Sequence, residues 1–130
     1  MVCLDSDVLI DFLRNDRATI EKINKLRDKQ SSLYITSINS FEIFKGLTNS
    51  KLSRKQIMEF LSNFNILNFD FQSSEKAAEI FNELKKEGKT IELPDVMIAS
   101  IAIVNDESIL TGNMDHFSRI KQLTMEESNN

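Results

Sequence analysis

The acidic residues of this 130-residue chain fall into two sets. Glu21, Asp28, Glu59, Glu75, Glu79, Glu83 and Glu87 alternate with basic residues at helical spacing, the pattern of a solvated face. Asp5, Glu42, Asp95 and Asp115 stand instead where apolar runs meet helices. Three or four carboxylates gathered at one end of a sheet repel one another and raise each other's pKa. A divalent cation resolves that repulsion, and donors that are all oxygen match hard Mg2+ or Mn2+. One histidine, one cysteine and no glycine-rich phosphate loop leave no material for a zinc site or a histidine pair. What remains is metal-assisted displacement at phosphorus. One ion polarises the phosphoryl oxygen and acidifies an attacking water, and a second ~3.5–4 Å away can stabilise the leaving oxygen. Acids at such junctions also cap helices, so capping stands beside ligation as an account of each, above all for Asp95.

The elements that must position these residues can be read in order. Val2-Cys3-Leu4 is a short apolar run suited to a strand buried on both faces, and Asp5 follows at its carboxyl end, where open α/β sheets bind ligands. Val8, Leu9, Phe12 and Leu13 carry the spacing of an amphipathic helix. Asn15 or Asp16 can cap a second helix at about 17–29, with Ile20, Ile23 and Leu26 inward. Gln30-Ser31-Ser32 reads as a loop and Leu33–Thr36 as a second strand. A helix from Ser37 to Gly46 follows, with Ile38, Phe41 and Lys45 along one side, Glu42 in its first two turns and Gly46 as a C-cap candidate. For most of Phe41, Phe44, Phe60 and Phe64, core packing is expected over a dimer or antitoxin groove.

Ser53-x-x-Gln56 opens another helix as a capping box, and Ile66–Phe69 is a third strand. Ser73 or Ser74 starts a helix with Ala77, Ala78, Ile80, Phe81 and Leu84 inward and Gly88 as its stop. Pro94 suits the first turn of a helix from Asp95 to about Val104 that is apolar nearly all round and therefore central. Ser108–Thr111 is a fourth strand, residues 112–117 a loop or short helix, and Leu123-Thr124 a possible edge strand.

Strands alternating with helices indicate an α/β fold with helices on both faces of a mostly parallel sheet of four to five strands. We expect one domain over residues 1–125 and a frayed tail over 126–130. No apolar run approaches a membrane span, so a cytoplasmic protein with no membrane partner is expected. Cys3 is expected in the core. A net charge of −4 opposes non-specific nucleic-acid binding unless the acid surplus sits in a metal pocket.

Four segments resemble one family. Leu4-Asp5-Ser6-Asp7-Val8-Leu9-Ile10 is similar to the opening motif of PIN-domain ribonucleases, and Thr36-x-Ile38-x-x-x-Glu42-x-x-x-Gly46 to their second acidic segment. Pro94-Asp95-Val96-Met97-Ile98-Ala99-x-x-Ala102 resembles their apolar helix, and Ile109–Phe117 their closing Thr-x-Asn/Asp segment. Order, spacing and short length point to the VapC-like toxins of toxin–antitoxin modules. The resemblance implies a three-layer α/β/α fold and a metal-dependent endoribonuclease using one or two Mg2+ or Mn2+ ions. It implies Asp5, Glu42 and Asp95 as metal ligands and catalytic acids. The fourth acid is open between Asp115 and Asn113, because some members carry an acid at the position of His116. Ser6, Asp7, Thr111 and Asn113 are supporting candidates, and Arg14 and Lys45 candidate RNA contacts. The implied partners are an RNA substrate, a VapB-like antitoxin and a second copy of the chain.

Two rivals use the same acids. Asp5-x-Asp7 superficially matches a haloacid-dehalogenase-like phosphatase, with Asp5 as nucleophile, but Leu9 stands where that motif wants Thr or Val. A receiver-type signalling domain would need a phosphoacceptor Asp after its third strand and a Lys after its fifth, for which Asp70 and Lys121 are poorly spaced.

Overall fold

The computed structural model describes residues 1–29, 32–47 and 50–126. The expected loop at Gln30 and Ser31, and residues 127–130 of the expected tail, lie outside the described residues. Four strands, β1 (Val2–Leu4), β2 (Leu33–Thr36), β3 (Asn65–Leu67) and β4 (Ser108–Leu110), form one all-parallel sheet in the order β3-β2-β1-β4. The expected edge strand near Leu123 is reduced to one parallel bridge, Ile109 to Met125. Glu126 at the start of the expected tail still donates its N–H to the Ile109 carbonyl at 2.8 Å. From β1 the chain steps outward through β2 and β3, then returns to lay β4 on the other side of β1. The strand order therefore reverses between β1 and β4, and the crevice beyond their carboxyl ends is the place such folds use for ligands.

The helices are α1 (Ser6–Leu13), α2 (Arg17–Asp28), α3 (Ser37–Gly46), α4 (Arg54–Leu61), α5 (Phe71–Glu87), α6 (Leu93–Val104) and α7 (Met114–Phe117). They cover two sheet faces over two separate cores. Val2, Leu4, Leu33, Ile35 and Leu110 meet Leu9, Ile23, Ile43, Ile57 and Leu61 on one face. Ile109 meets Ala77, Ile80 and Leu84 of α5, Val96, Ile98 and Ala99 of α6, and Phe117 on the other. The period-2 side-chain alternation of β4, Ile109 to one core and Leu110 to the other, makes this three layers. None of the described helices is long and apolar enough to cross a membrane.

Local chemistry sets most boundaries. Asp16 caps α2 by accepting from Thr19 N–H, and Ser53 and Gln56 form the expected reciprocal box on α4. Gly88 ends α5 at φ +68°, where a side chain is disfavoured. Three expectations need correction. Asp70, not a serine, caps α5, accepting from Ser73 N–H at 2.8 Å, so the helix begins two residues early. Ala78 faces solvent because the inner stripe runs Ala77, Ile80, Leu84. Phe41 is 57% exposed, because α3 turns Ile38 and Ile43 inward and leaves Phe41 between them outside. Cys3 is fully buried, and its thiol is pushed up to about 12, by desolvation first and by Asp5 and Glu107 after it.

The start of α3 carries the least obvious device. Thr36 Oγ1 accepts from Asn39 N–H while Asn39 Oδ1 accepts from Thr36 N–H and hydroxyl, a capping box closed by a fully buried asparagine. Its remaining amide Nδ2 donates to Ser6 Oγ at 2.9 Å. Asn39→Ala would orphan buried groups on both sides. Each costs about 1–3 kcal/mol, so a loss of roughly 2–4 kcal/mol in urea unfolding is expected, against well under 1 kcal/mol for exposed Asn63→Ala.

Candidate active site at the carboxyl edge of the sheet

Asp5 leaves β1 as the N-cap of α1. Its Oδ1 accepts from Ser6 N–H at 2.8 Å and its Oδ2 from the Thr111 hydroxyl at 2.7 Å. Thr111 follows β4, so this bond spans the point where the strand order reverses. Asp5 N–H donates to Leu110 carbonyl at 2.9 Å, which fixes the register of the two strand ends. Ser6 Oγ donates to Glu42 Oε1 at 2.6 Å, tying α1 to α3. The buried threonine, serine and asparagine thus orient two carboxylates from three elements.

Asp95 lies in the first turn of α6, with Oδ2 at 3.5 Å from His116 Nδ1. That nitrogen is also 2.9 Å from Asn113 Nδ2, and Asn113 N–H donates to Thr111 Oγ1 at 2.9 Å. Hydrogen bonds therefore run from Asp5 through Thr111 to Asn113, and the His116 imidazole stands between Asn113 and Asp95. Electrostatics tell the same story. Desolvation carries the Asp5 carboxyl up to about 7; its bonds to Thr111 and Ser6 oppose the rise, while the charges of Asp7 and Asp95 add to it. Asp95 is raised by desolvation, lowered by His116 and raised by Glu42. Asp5, Glu42 and Asp95 are close enough to repel, on one rim of the sheet.

The other expected residues divide. Asp7 accepts from Val8 N–H with Oδ1 and from Gly112 N–H with Oδ2, so it both caps α1 and pins the loop after β4. Partial desolvation raises its pKa against those two bonds. Asp115 is exposed, and among the described residues its carboxylate makes no hydrogen bond or ion pair with the site. His116, at the position where some family members carry an acid, takes the place beside Asp95. Its single occurrence next to an acidic segment was the available signal. Lys45 lies one turn beyond Glu42, its Nζ 5.5 Å from the centroid of exposed Phe41. Arg14 is the C-cap of α1, about 12 Å along the axis from Ser6. Asp70 is occupied as a cap and Lys121 pairs with Glu87 at 3.3 Å, so the receiver arrangement is not formed.

As they stand, no three His, Cys, Asp or Glu side chains among the described residues are drawn together tightly enough to cage an ion. The donor set nevertheless fits a hard divalent cation. Each Asp5 oxygen accepts one hydrogen bond and keeps a second lone pair. Mg2+ keeps several waters and needs only one or two carboxylates.

Two outcomes follow. A Cβ on Gly112 would stand 2.6 Å from Asp7 Oδ2, so that carboxylate must give way and its bond to Gly112 N–H with it. Gly112→Ala should cost about 1–2 kcal/mol, and Asp7→Ala should cancel much of that in a double-mutant cycle on urea midpoints. Folded Asp5 keeps its proton up to about 7 but loses it at its ordinary 3.8 when unfolded. The folded state binds more protons across that window, so Asp5's contribution to stability falls as pH rises through it. Metal-free Asp5→Asn should gain on wild type from about pH 4 to about pH 8; a flat difference in unfolding free energy would contradict this.

A PIN domain model matches residues 2–123. Ribonuclease VapC3 of Methanocaldococcus jannaschii is 38% identical over 98 residues, 75% of this chain and 94% of that protein. Ribonuclease VapC10 of Mycobacterium tuberculosis is 28% identical over 95% of this chain and 90% of its own. The crystal structure of VapBC2 from Rickettsia felis, bound to a DNA fragment from its promoter, contains a chain that superposes with a TM-score of 0.84 at 26% identity. That match covers 97% of this chain and 98% of the other. On the extent of the domain match and the identity to VapC3, this chain belongs to the PIN domain family.

Proposed function

We propose that this chain is a divalent-metal-dependent endoribonuclease that hydrolyses RNA phosphodiester bonds, the toxin of a VapBC-type pair. The observation that carries the reading is the gathering of Asp5, Glu42 and Asp95 on one rim, with Ser6 and Thr111 bonded to the first two and His116 beside the third. The names of its relatives support the reaction class, and the VapBC2 complex supports a VapB-like antitoxin as partner. A homodimer in the cytoplasm belongs to the same proposal.

Asp5, Glu42 and Asp95 would hold the ion. When bound, a divalent cation supplies polarisation of the phosphoryl oxygen and a more acidic attacking water. Thr111 fixes the Asp5 carboxylate by donating to Oδ2, which leaves a defined lone pair on each oxygen for a ligand. Ser6, held by Asn39, does the same for Glu42. His116 and Asn113 hold the Asp95 side of the cleft. The Lys45 ammonium, a turn along α3, is suited to a backbone phosphate, which the acid rim alone would repel. Arg14 stands too far along α1 to meet the same phosphate, so we assign it no role in the cleaved bond.

The phosphatase reading gains nothing from the relatives, whose names are those of ribonucleases, and its motif wants Thr or Val where Leu9 stands. Incubation of the purified chain with defined RNAs and Mn2+ tests the proposal. Asp5→Asn, Glu42→Gln and Asp95→Asn should each lower the cleavage rate by on the order of 10²–10³-fold, and chelation should abolish it. An Asp5→Asn variant that folds and cuts RNA at the wild-type rate sinks the reading.

A further inference from the structure

We propose that Asn39 is a positioning residue for the reaction, because its amide carries a hydrogen-bond direction from the Thr36 backbone to Ser6 and holds the Ser6 proton on Glu42. The inference rests on the reading of Glu42 as a working carboxylate and concerns what presents it to the cleft.

The direction is forced from one end. A backbone N–H can only donate, so the Thr36 amide, 2.8 Å from the Asn39 side chain, meets its carbonyl oxygen Oδ1 and not its Nδ2. The Thr36 hydroxyl agrees: it accepts from Asn39 N–H and gives its own proton to Oδ1. With Oδ1 committed, Nδ2 is the end that faces Ser6, and it donates to Oγ at 2.9 Å. Ser6 has one hydroxyl proton. With a donor behind it, that proton goes forward to Glu42 Oε1 at 2.6 Å. Thr36 and Asn39 are fully buried and Ser6 nearly so, which keeps water from resetting the order.

The same order recurs on Asp5. Asn113 N–H donates to Thr111 Oγ1, and the Thr111 hydroxyl gives its proton to Asp5 Oδ2. Each carboxylate is thus met by a hydroxyl whose proton is assigned by an amide behind it. Behind Thr111 that amide is backbone; behind Ser6 it is a side chain, so this relay can be reversed by substitution. The cap of α3 needs only the Oδ1 end of Asn39. The Nδ2 end serves Ser6, and through it Glu42.

Asn39→Asp keeps the oxygen that closes the cap and turns the donor toward Ser6 into an acceptor, leaving one hydroxyl proton between two carboxylates. It should lower the urea midpoint of the metal-free protein. Adding Glu42→Gln, whose amide can donate to Ser6 and run the order backwards, should restore most of the loss. Glutamine also relieves charge repulsion between residues 39 and 42, so the pair is repeated with Ser6→Ala, where repulsion remains and the relay is gone. The restoration should then shrink. Equal restoration with and without Ser6, or a loss indifferent to residue 42, would overturn the inference. Should Asn39→Asp fail to fold, Asn39→Thr removes the donor and keeps a hydroxyl for the cap. Its RNA cleavage should show kcat about 10-fold lower at a KM near wild type, with no further loss when it is added to Ser6→Ala. A folded Asn39→Thr at the wild-type kcat would also overturn the inference. A wild-type chain that cuts no RNA would count against the ribonuclease reading, and the urea cycle, which needs no catalysis, would still decide the direction.

Discussion

Burying a carboxylate costs several kcal/mol unless hydrogen bonds or a countercharge offset it, and Asp5 has only part of that compensation. The residue is 5% exposed, with one hydroxyl and one backbone amide as its donors and two further acids near enough to raise it. The imidazole of the surrounding arc, His116, is paired with Asp95. Each neighbouring feature acts to hold this charge in place: Thr111 on the adjacent strand end, Ser6 on the first turn of α1, and Asn39 behind Ser6. Because β1 is an inner strand with β2 and β4 on either side, its carboxyl end cannot escape to solvent. The tension is stored in a rigid part of the fold.

This constraint explains why hydroxyl and amide side chains are found buried here. Thr36, Asn39, Ser6 and Thr111 are neutral groups, so packing them between acids adds donors without charge. A lysine or arginine at the same points would neutralise the carboxylates permanently and compete with any cation for them. Neutral donors align the oxygens yet leave the net negative charge available. The −4 charge of the whole chain is consistent with that arrangement, since a cation bound among these acids would reverse their local sign.

Much of the fold was legible because its signals are local. The apolar β1, the apolar α6 after Pro94, the box at Ser53 and the stop at Gly88 each depend on a few adjacent residues. The errors occurred where two elements compete for one residue. Asp70 and Ser73 are both good caps, and the choice went to Asp70 because Ser73 is buried against the second core. Phe41 has the spacing of an inner residue, yet α3 is shared between two cores, and Ile38 and Ile43 face one each. A single-stripe reading cannot describe a helix that lies across the edge of a sheet. The three acids were legible by position; Asn39 and His116 were not, since their partners lie 33 and 21 residues away in the chain.

The exchange between Asp115 and His116 shows how finely such a site depends on helix phase. Successive residues on a helix point about 100° apart, so only one of two neighbours in α7 can face the rim. Phe117 must enter the second core, where it is fully buried, and that requirement sets the rotation of the whole turn. With Phe117 inward, residue 116 meets Asp95 and residue 115 meets solvent. The acid in this segment is therefore excluded from the site by a hydrophobic contact, and the imidazole is admitted by it. Core packing, not the charge of the side chain, decides which of the two joins the acids.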